Sequence, residues 1–161
     1  QICSYYEDEV DAYELQTLEL FRQHAFDAGA VEVAMAAMRA FPSDDKLMGN
    51  RCACLGVIAV VASTTMDKAP CLARLQCVGG GGAIELSVAA LQTHPTSDCV
   101  LSGAGNLLAE LTYSTADAGD AVLEAAQKHA AKAVKAGAVQ AIIAAMRARP
   151  ASPVEGGAID A

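Results

Sequence analysis

The stretch GAVEVAMAAMRAFPSDD at residues 29–45 decides the fold, because closely similar stretches occur twice more in the 161-residue chain. These are GAIELSVAALQTHPTSD at residues 82–98 and GAVQAIIAAMRARPAS at residues 137–152. The first glycines are 53 and then 55 residues apart, and the prolines keep the same offsets. Nine of fifteen positions are identical between residues 29–43 and 137–151, where chance would give roughly one or two. A recurrence of this length predicts a stacked array of similar units.

Each block has the pattern of a short amphipathic helix. Apolar side chains recur at i, i+3, i+4 and i+7, which is the helical period. A glycine stands before each helix, where a tight turn from an earlier helix needs a positive φ. A proline stands after each helix and ends it. The predicted buried faces are Val31, Ala34, Met35 and Met38; Ile84, Ser87, Val88 and Leu91; and Val139, Ile142, Ile143 and Met146.

A longer helix is predicted after each of the first two prolines. Ser43-Asp44-Asp45 and Thr96-Ser97-Asp98 supply side chains that cap helix N-termini. No stretch of useful length alternates with period two, so we assign no sheet. The predicted buried positions of these helices are Leu47, Cys54, Leu55, Ile58 and Val61, and then Val100, Leu107, Leu108 and Leu111.

A third helix is predicted before each glycine, over residues 8–27, 67–78 and 119–135. In the last of these, Asp120 is expected to cap the N-terminus, and Glu124 and Lys128 are spaced for an i, i+4 ion pair. The segments Ser63–Pro70 and Gly79–Gly82 are expected to be loops.

Composition excludes several classes of function. The net charge of −8 and the lack of any Lys/Arg-rich run oppose binding to nucleic acid or to an anionic membrane surface. The longest uncharged apolar run, residues 52–66, is shorter than a membrane span, so we expect no membrane insertion. The six cysteines fit reduced, half-buried thiols, which favours a reducing interior compartment such as the cytoplasm or an organelle.

The three-helix unit resembles the armadillo repeat. The strings that carry the resemblance are AFDAGAVEVAMAAMRAFPSDDKL at 25–47, CVGGGGAIELSVAALQTHPTSDCV at 77–100 and AVKAGAVQAIIAAMRARP at 133–150. The resemblance implies an all-α, right-handed solenoid of about three repeats, the last incomplete. The spacing of 53 to 55 exceeds that family's period of about forty. We expect one domain over residues 1–161, with units at about 8–62, 67–114 and 119–150 and a tail at 151–161.

In armadillo proteins the long helices line a concave groove that binds other proteins. The resemblance therefore implies a partner-binding face on the long helices of this chain. That family often carries Trp at a first groove position and Asn at a second. Here the first position is Ala53 and Asn106, and the second is Val57 and Glu110. Capture of an extended nuclear-import type of peptide is therefore not expected. The implied concave-face residues are Asn50, Ala53, Val57, Gly103, Asn106 and Glu110.

The C-terminal end is a second expected contact surface. The third short helix is apolar on one face, yet the residues after Pro150 are interrupted by proline and glycine and do not read as a long helix. Repeat arrays need a polar cap at such an end. We therefore expect a partner, another copy or further chain to dock on Ala141, Ile142, Ile143 and Met146.

Nothing in the sequence indicates catalysis, a cofactor or a metal. Gly79–Gly82 lacks the Lys-Ser/Thr that follows in a phosphate-binding loop. Cys52 and Cys54 lie on different sides of one helix, and no second close pair completes four zinc ligands. The three histidines are scattered, and no serine or cysteine stands in a nucleophile motif: His24, His94 and His129.

The favoured interpretation is a non-catalytic scaffold that binds other proteins. The first alternative is an accessory or linker subunit of a large assembly, for instance inside an organelle; the start at Gln1 and the incomplete last unit favour it. The second alternative is an enzyme that uses a Cys or His in the groove.

Overall fold

The computed structural model describes residues 12–60, 68–114 and 119–148, and every regular element within these ranges is an α-helix. The predicted all-α class is thus confirmed for this part of the chain. Residues 8–11 of the first predicted helix, Val61 and the tail at 151–161 lie outside it. The helices are α1 Ala12–Asp27, α2 Ala30–Ala40, α3 Asp45–Ala59, α4 Lys68–Gly80, α5 Ala83–Thr93, α6 Asp98–Thr112, α7 Asp120–Ala136 and α8 Ala138–Ala148.

The short helices α2, α5 and α8 each follow a glycine in the left-handed region. The φ angles are +79° at Gly29, +104° at Gly82 and +85° at Gly137. Each short helix then runs for 11 residues. The predicted common turn is confirmed, because three glycines at equivalent sequence positions adopt one conformation that other residues rarely enter.

The long helices α3 and α6 are both 15 residues long and begin in the same way. The Asp44 carboxylate accepts a hydrogen bond from the Leu47 amide at 2.9 Å. At the equivalent place 53 residues later, the Ser97 hydroxyl oxygen accepts from the Val100 amide at 3.4 Å. These caps satisfy amides that have no partner within the helix, as the Ser/Asp-rich segments after the prolines predicted.

The helices that precede the glycines differ from prediction at two places. Pro70 and the pair Gly79–Gly80 are helical, because α4 runs over Lys68–Gly80. Proline is tolerated in a first turn, where its missing amide has no partner to lose. Asp120 is the first residue of α7 and not its cap, since Gly119 holds the capping position without a side chain. The predicted pair of Lys128 and Glu124 is formed at 2.7 Å.

The apolar core is built from residues of α2 through α8. All predicted buried side chains of α2, α5 and α6 are buried, and burying each large one contributes roughly 1.5–3 kcal/mol. In α3, Leu47 and Cys54 are only half-buried, whereas Met48, Cys52 and Gly56 are fully covered. The buried face of α3 is rotated from the predicted one because α6 packs on Gly49 and Gly56. Glycine has no apolar side chain, so the apolar pattern of the sequence does not mark this face.

None of the helices in the described ranges combines the length and the apolar character needed to cross a bilayer.

Candidate partner-binding surfaces

α3 and α6 make the most extensive helix pair of the described residues. A Cβ atom on Gly103 would lie 2.1 Å from the carbonyl oxygen of Gly49, and one on Gly49 would lie 2.5 Å from backbone atoms of Cys99. The two backbones therefore touch without side chains between them, an approach that glycine alone allows. Their outward side chains consequently form one surface, which we call the α3/α6 face.

The side chains predicted for the concave groove lie on these two helices. A Cβ on Gly56 would lie 3.8 Å from the Asn106 carbonyl carbon, so the second half of α3 runs beside the middle of α6. The Cys99 thiol donates to the Asn50 side-chain oxygen at 3.7 Å, which joins the two helices near their N-terminal ends. Contact with a partner stays a prediction. The positions are exposed at Asn50, Val57 and Asn106, half-buried at Ala53 and Glu110, and buried at Gly103.

Polar contacts also join the segments that precede α3 and α6. The Ser97 hydroxyl donates to the Asp45 carboxylate at 2.7 Å, and this bond holds the pKa of Asp45 below its usual value. The His94 Nε2 donates to the Pro42 carbonyl oxygen at 2.8 Å. In both pairs the partners are 52 residues apart, close to the period of the sequence. The contacts thus tie the first block to the second and fix the start of the α3/α6 face.

The C-terminal positions predicted to dock a partner all lie on α8. Ala141 is buried at 5% exposure, and Ile142 is half-buried. Ile143 and Met146 are 42% and 62% exposed. Two of the four predicted positions are therefore exposed, and docking of a partner on them stays a prediction.

An apolar groove of about 330 Å³ adjoins these residues. α6 contributes Gly105 and Ala109, α7 contributes Val134, and α8 contributes Val139 and Ile142. The volume of the groove is in the range of ligand-binding clefts. The groove lies beside α8, the last helix that the structure describes. We call it the end groove.

A buried cation that sequence analysis did not single out joins α1, α3 and α4. Arg74 has no exposed surface. Its Nε donates to the carbonyl of Ile58 at 3.0 Å, and one terminal nitrogen donates to the Gln23 side chain at 2.6 Å. The other terminal nitrogen pairs with Glu19. The buried charge is therefore both paired and hydrogen-bonded, as a buried charge must be.

His129 holds the equivalent position one unit later. Its Nδ1 donates to the carbonyl of Leu111 at 3.3 Å, and its ring packs against Gly79, where a Cβ would lie 2.3 Å from Nε2. Burial lowers the pKa of His129, and Lys132 nearby acts in the same direction, while the Leu111 bond opposes them. A neutral ring that bonds one backbone carbonyl is a packing element of the interior.

The cysteines of the described ranges are free thiols. Burial raises the pKa of Cys52 to about 11, and its sulfur lies 3.6 Å from the Ser87 hydroxyl. Burial also raises the pKa of Cys71 and Cys77. Nucleophilic cysteines have lowered pKa values, so these three thiols are poorly suited to covalent catalysis.

Within the parts of the chain that the structure describes, no three His, Cys, Asp or Glu side chains come together as a metal site would require. The chain matches no protein-family model, no curated protein and no solved structure. Its function is therefore inferred from the α3/α6 face and the end groove.

Proposed function

We propose that the protein is a non-catalytic scaffold that binds another protein on its α3/α6 face, within an armadillo-like right-handed solenoid of helical units. The observation that carries this proposal is the backbone contact of Gly49 with Gly103. That contact places two long helices side by side, so that Asn50, Val57 and Asn106 are exposed on neighbouring helices.

The recurring contacts support the solenoid part of the proposal. The same left-handed glycine turn recurs at offsets of 53 and 55 residues, the same N-terminal cap recurs at an offset of 53, and the Ser97–Asp45 bond joins the first two blocks at an offset of 52. Arrays of such units place equivalent helices side by side, and the resulting surface is often the binding face.

A protein partner suits the chemistry of the face better than nucleic acid does. The chain carries a net charge of −8, which repels phosphate. The exposed amides of Asn50 and Asn106 can each donate and accept hydrogen bonds with a polypeptide backbone. Val57, at 48% exposure, adds apolar area on α3.

Site-specific photocrosslinking tests the proposal. A photoreactive phenylalanine analogue replaces Val57, and in a matched control it replaces Val33, which is 67% exposed on α2. In extract from the source cells, we expect Val57 to give a discrete cross-linked protein that excess unlabelled chain competes away. The control position should not give that product.

Substitution of the two asparagines provides the second arm. Asn50→Ala with Asn106→Ala should reduce the cross-link from position 57 and change the melting temperature little, because both side chains are exposed and only the weak 3.7 Å bond from Cys99 to Asn50 is lost. Identical products from positions 57 and 33, or a cross-link unaffected by the double variant, would contradict binding on the α3/α6 face.

A further inference from the structure

Four apolar side chains of the first unit, α1 to α3, are exposed at positions that the second unit keeps covered. Phe21 on α1 is 65% exposed, whereas Arg74 on α4, its equivalent 53 residues later, has no exposed surface. The other equivalents in the second unit, α4 to α6, are buried or half-buried: Cys71, Leu86 and His94. We call the exposed first-unit positions the leading face: Leu18, Phe21, Val33 and Phe41.

The cover of these positions in the second unit is the first unit itself. Arg74 and Cys71 both contact Glu19 on α1, and the thiol donates to the carboxylate at 3.4 Å. The His94 ring bonds the carbonyl oxygen of Pro42, which precedes α3. The leading positions of the second unit therefore face the unit before them.

The third unit, α7 and α8, meets the second unit in the same way. The equivalent of Phe21 here is His129, which is buried and packs its ring on Gly79 of α4. One unit later, the equivalent of Gly79 is Val134, which is 64% exposed and lines the end groove. The chain thus exposes both halves of a contact that its units make with each other, namely the leading face and the α7 surface around Val134.

The side chains on the two exposed halves suit each other. Where the first unit meets the second, a buried cation meets an acid, Arg74 with Glu19. Where the second meets the third, a histidine ring meets a glycine. Phe21 needs a surface without charge, and α7 has none at the three equivalent positions. The α7 residues that replace Glu19, Gln23 and Gly79 are Gln127, Ala131 and Val134.

Charge also differs between the two ends of the chain. Residues 7–32 contain eight acids and one arginine, whereas residues 128–149 contain five lysines or arginines and no acid. Opposite charge on two surfaces steers their encounter and disfavours wrong pairings. Two copies of this chain are therefore complementary in charge when the leading face of one meets α7 of the other.

We propose that the leading face binds α7 of a second copy of this chain, so that Phe21 of one copy packs on Val134 of the next. A second copy fits because it carries the two halves of a contact that the units already make, with matching side chains and opposite charge. The contact joins two different faces, so it is heterologous and can continue from copy to copy. The inference goes beyond the scaffold function and does not depend on the α3/α6 face.

The long helices limit how closely two copies approach each other. Within one chain, α3 and α6 touch at Gly49 and Gly103. The equivalent positions across two copies are Ser102 on α6 and Asn50 on α3. Because both carry side chains, they keep these helices apart, and the contact between copies is centred on α1 and α7. We therefore expect this contact to be weaker than the one within the chain and to depend on protein concentration.

Sedimentation velocity of the 161-residue chain tests the proposal over roughly 5–500 μM. Phe21→Glu and Val134→Glu each place a charge on one half of the contact, where burying it against apolar side chains is costly. Leu20→Glu is the matched control. Leu20 is 55% exposed on the same helix, and its equivalents in the other units, Ala73 and Lys128, are exposed as well. Thermal melts check that each variant folds.

We expect the weight-average sedimentation coefficient of the natural chain to rise with concentration and to fall when salt is added, because charge assists the contact. Phe21→Glu and Val134→Glu should each weaken association by about tenfold or more, and Leu20→Glu should leave it near the natural value. An equimolar mixture of Phe21→Glu and Val134→Glu should stop at a dimer, because each variant keeps one intact half of the contact.

Several results would overturn the proposal. The natural chain could stay monomeric over the whole range, or its growth could stop at a dimer, which would indicate a symmetric contact. Equal effects of Leu20→Glu and Phe21→Glu would place the contact elsewhere. Slow maleimide labelling of Val134→Cys in the dilute monomer, followed by peptide mass spectrometry, would mean that the chain itself covers α7. The scaffold function is judged separately by the cross-link at Val57, which lies on neither α1 nor α7.

Discussion

Arg74 and His129 perform the same task 55 residues apart. Arg74 donates to the carbonyl of Ile58 in the last turn of α3, and His129 donates to the carbonyl of Leu111 in the last turn of α6. Each carbonyl belongs to the residue just before the last residue of its helix. The last carbonyls of a helix have no partner within it, so each buried side chain closes the end of the preceding long helix.

Removing the Arg74 side chain should destabilise the fold strongly. Arg74→Met removes the buried cation from Glu19, which keeps its 3.5 Å pair with Arg22, and leaves the Ile58 carbonyl without its side-chain donor. Losing hydrogen bonds made by a buried charged group costs about 1.5–3 kcal/mol. Denaturant unfolding measures the loss. Lys128→Met, which breaks the exposed pair with Glu124, is the control and should change stability little. Equal losses for both variants would contradict the assigned role.

The free energy of unfolding should decrease at acidic pH, and part of this decrease should come from His129. Burial lowers the pKa of the folded imidazole from its ordinary 6.5. The unfolded chain therefore binds the proton first, and the contribution of neutral His129 is complete above pH 6.5 and is lost as pH falls from 6.5 toward the folded pKa. Denaturant unfolding between pH 8 and 5 measures it. In His129→Gln, this part of the pH dependence of the free energy of unfolding should disappear. An unchanged pH dependence would show that other groups cause it.

Two glycines in α6 should respond oppositely to alanine. Gly103→Ala places a methyl 2.1 Å from the Gly49 carbonyl oxygen, which forces α3 and α6 apart and costs about 1–3 kcal/mol. Gly105→Ala meets no atom within 4 Å and should stabilise α6 by up to about 1 kcal/mol through helix propensity. Thermal melts of the two variants decide the matter, and a shift of the same sign in both would contradict the close helix contact.

Gly137 should tolerate asparagine better than valine. Its φ of +85° is strained for a β-branched residue, which costs on the order of 1–3 kcal/mol, whereas asparagine enters this region more readily. Space does not limit either change, because a Cβ there would lie 3.9 Å from its nearest neighbour, Gln140. Melting temperatures should rank the natural chain above Gly137→Asn and that variant above Gly137→Val. No difference between the variants would mean that the turn relaxes.

Cys52 should be the slowest of the described cysteines to react with iodoacetamide in the folded chain. Its side chain is fully buried and its pKa is raised to about 11, so little thiolate forms at pH 8. Cys54, two residues later and half-buried, is the internal comparison. Peptide mass spectrometry over time gives both rates. Faster labelling of Cys52 than of Cys54 would contradict its burial and would revive a role for this thiol in chemistry.

The helices, the residues that begin and end them, and most of the core could be predicted from local sequence, because the glycine turns, N-terminal caps and apolar periods act over a few residues. The buried face of α3 could not, since it is set by Gly49 and Gly56 meeting a helix about fifty residues away. Arg74 was missed for a similar reason: its side-chain partners, Glu19 and Gln23, precede it by 55 and 51 residues. Its offset from His129 was the available signal.

The candidate surfaces show the same limit. Exposure of Asn50, Val57 and Asn106 follows from helical period, but burial of Gly103 depends on how closely two helices approach. For α8, the apolar period predicted a buried face, yet Ile143 and Met146 on that face are exposed. An apolar pattern shows which face of a helix is suited to burial, but it does not show whether a neighbouring element covers that face.

The contact of Gly49 with Gly103 also fixes a length. Side chains that separate two helices can change rotamer, and the gap between the helices can then widen or narrow. Here the separation is set by backbone atoms, which have no such freedom. A ligand that contacts Asn50 and Asn106 together would therefore meet two contact points at a constant separation. Its own binding groups must match that separation, or the ligand must change conformation to reach both.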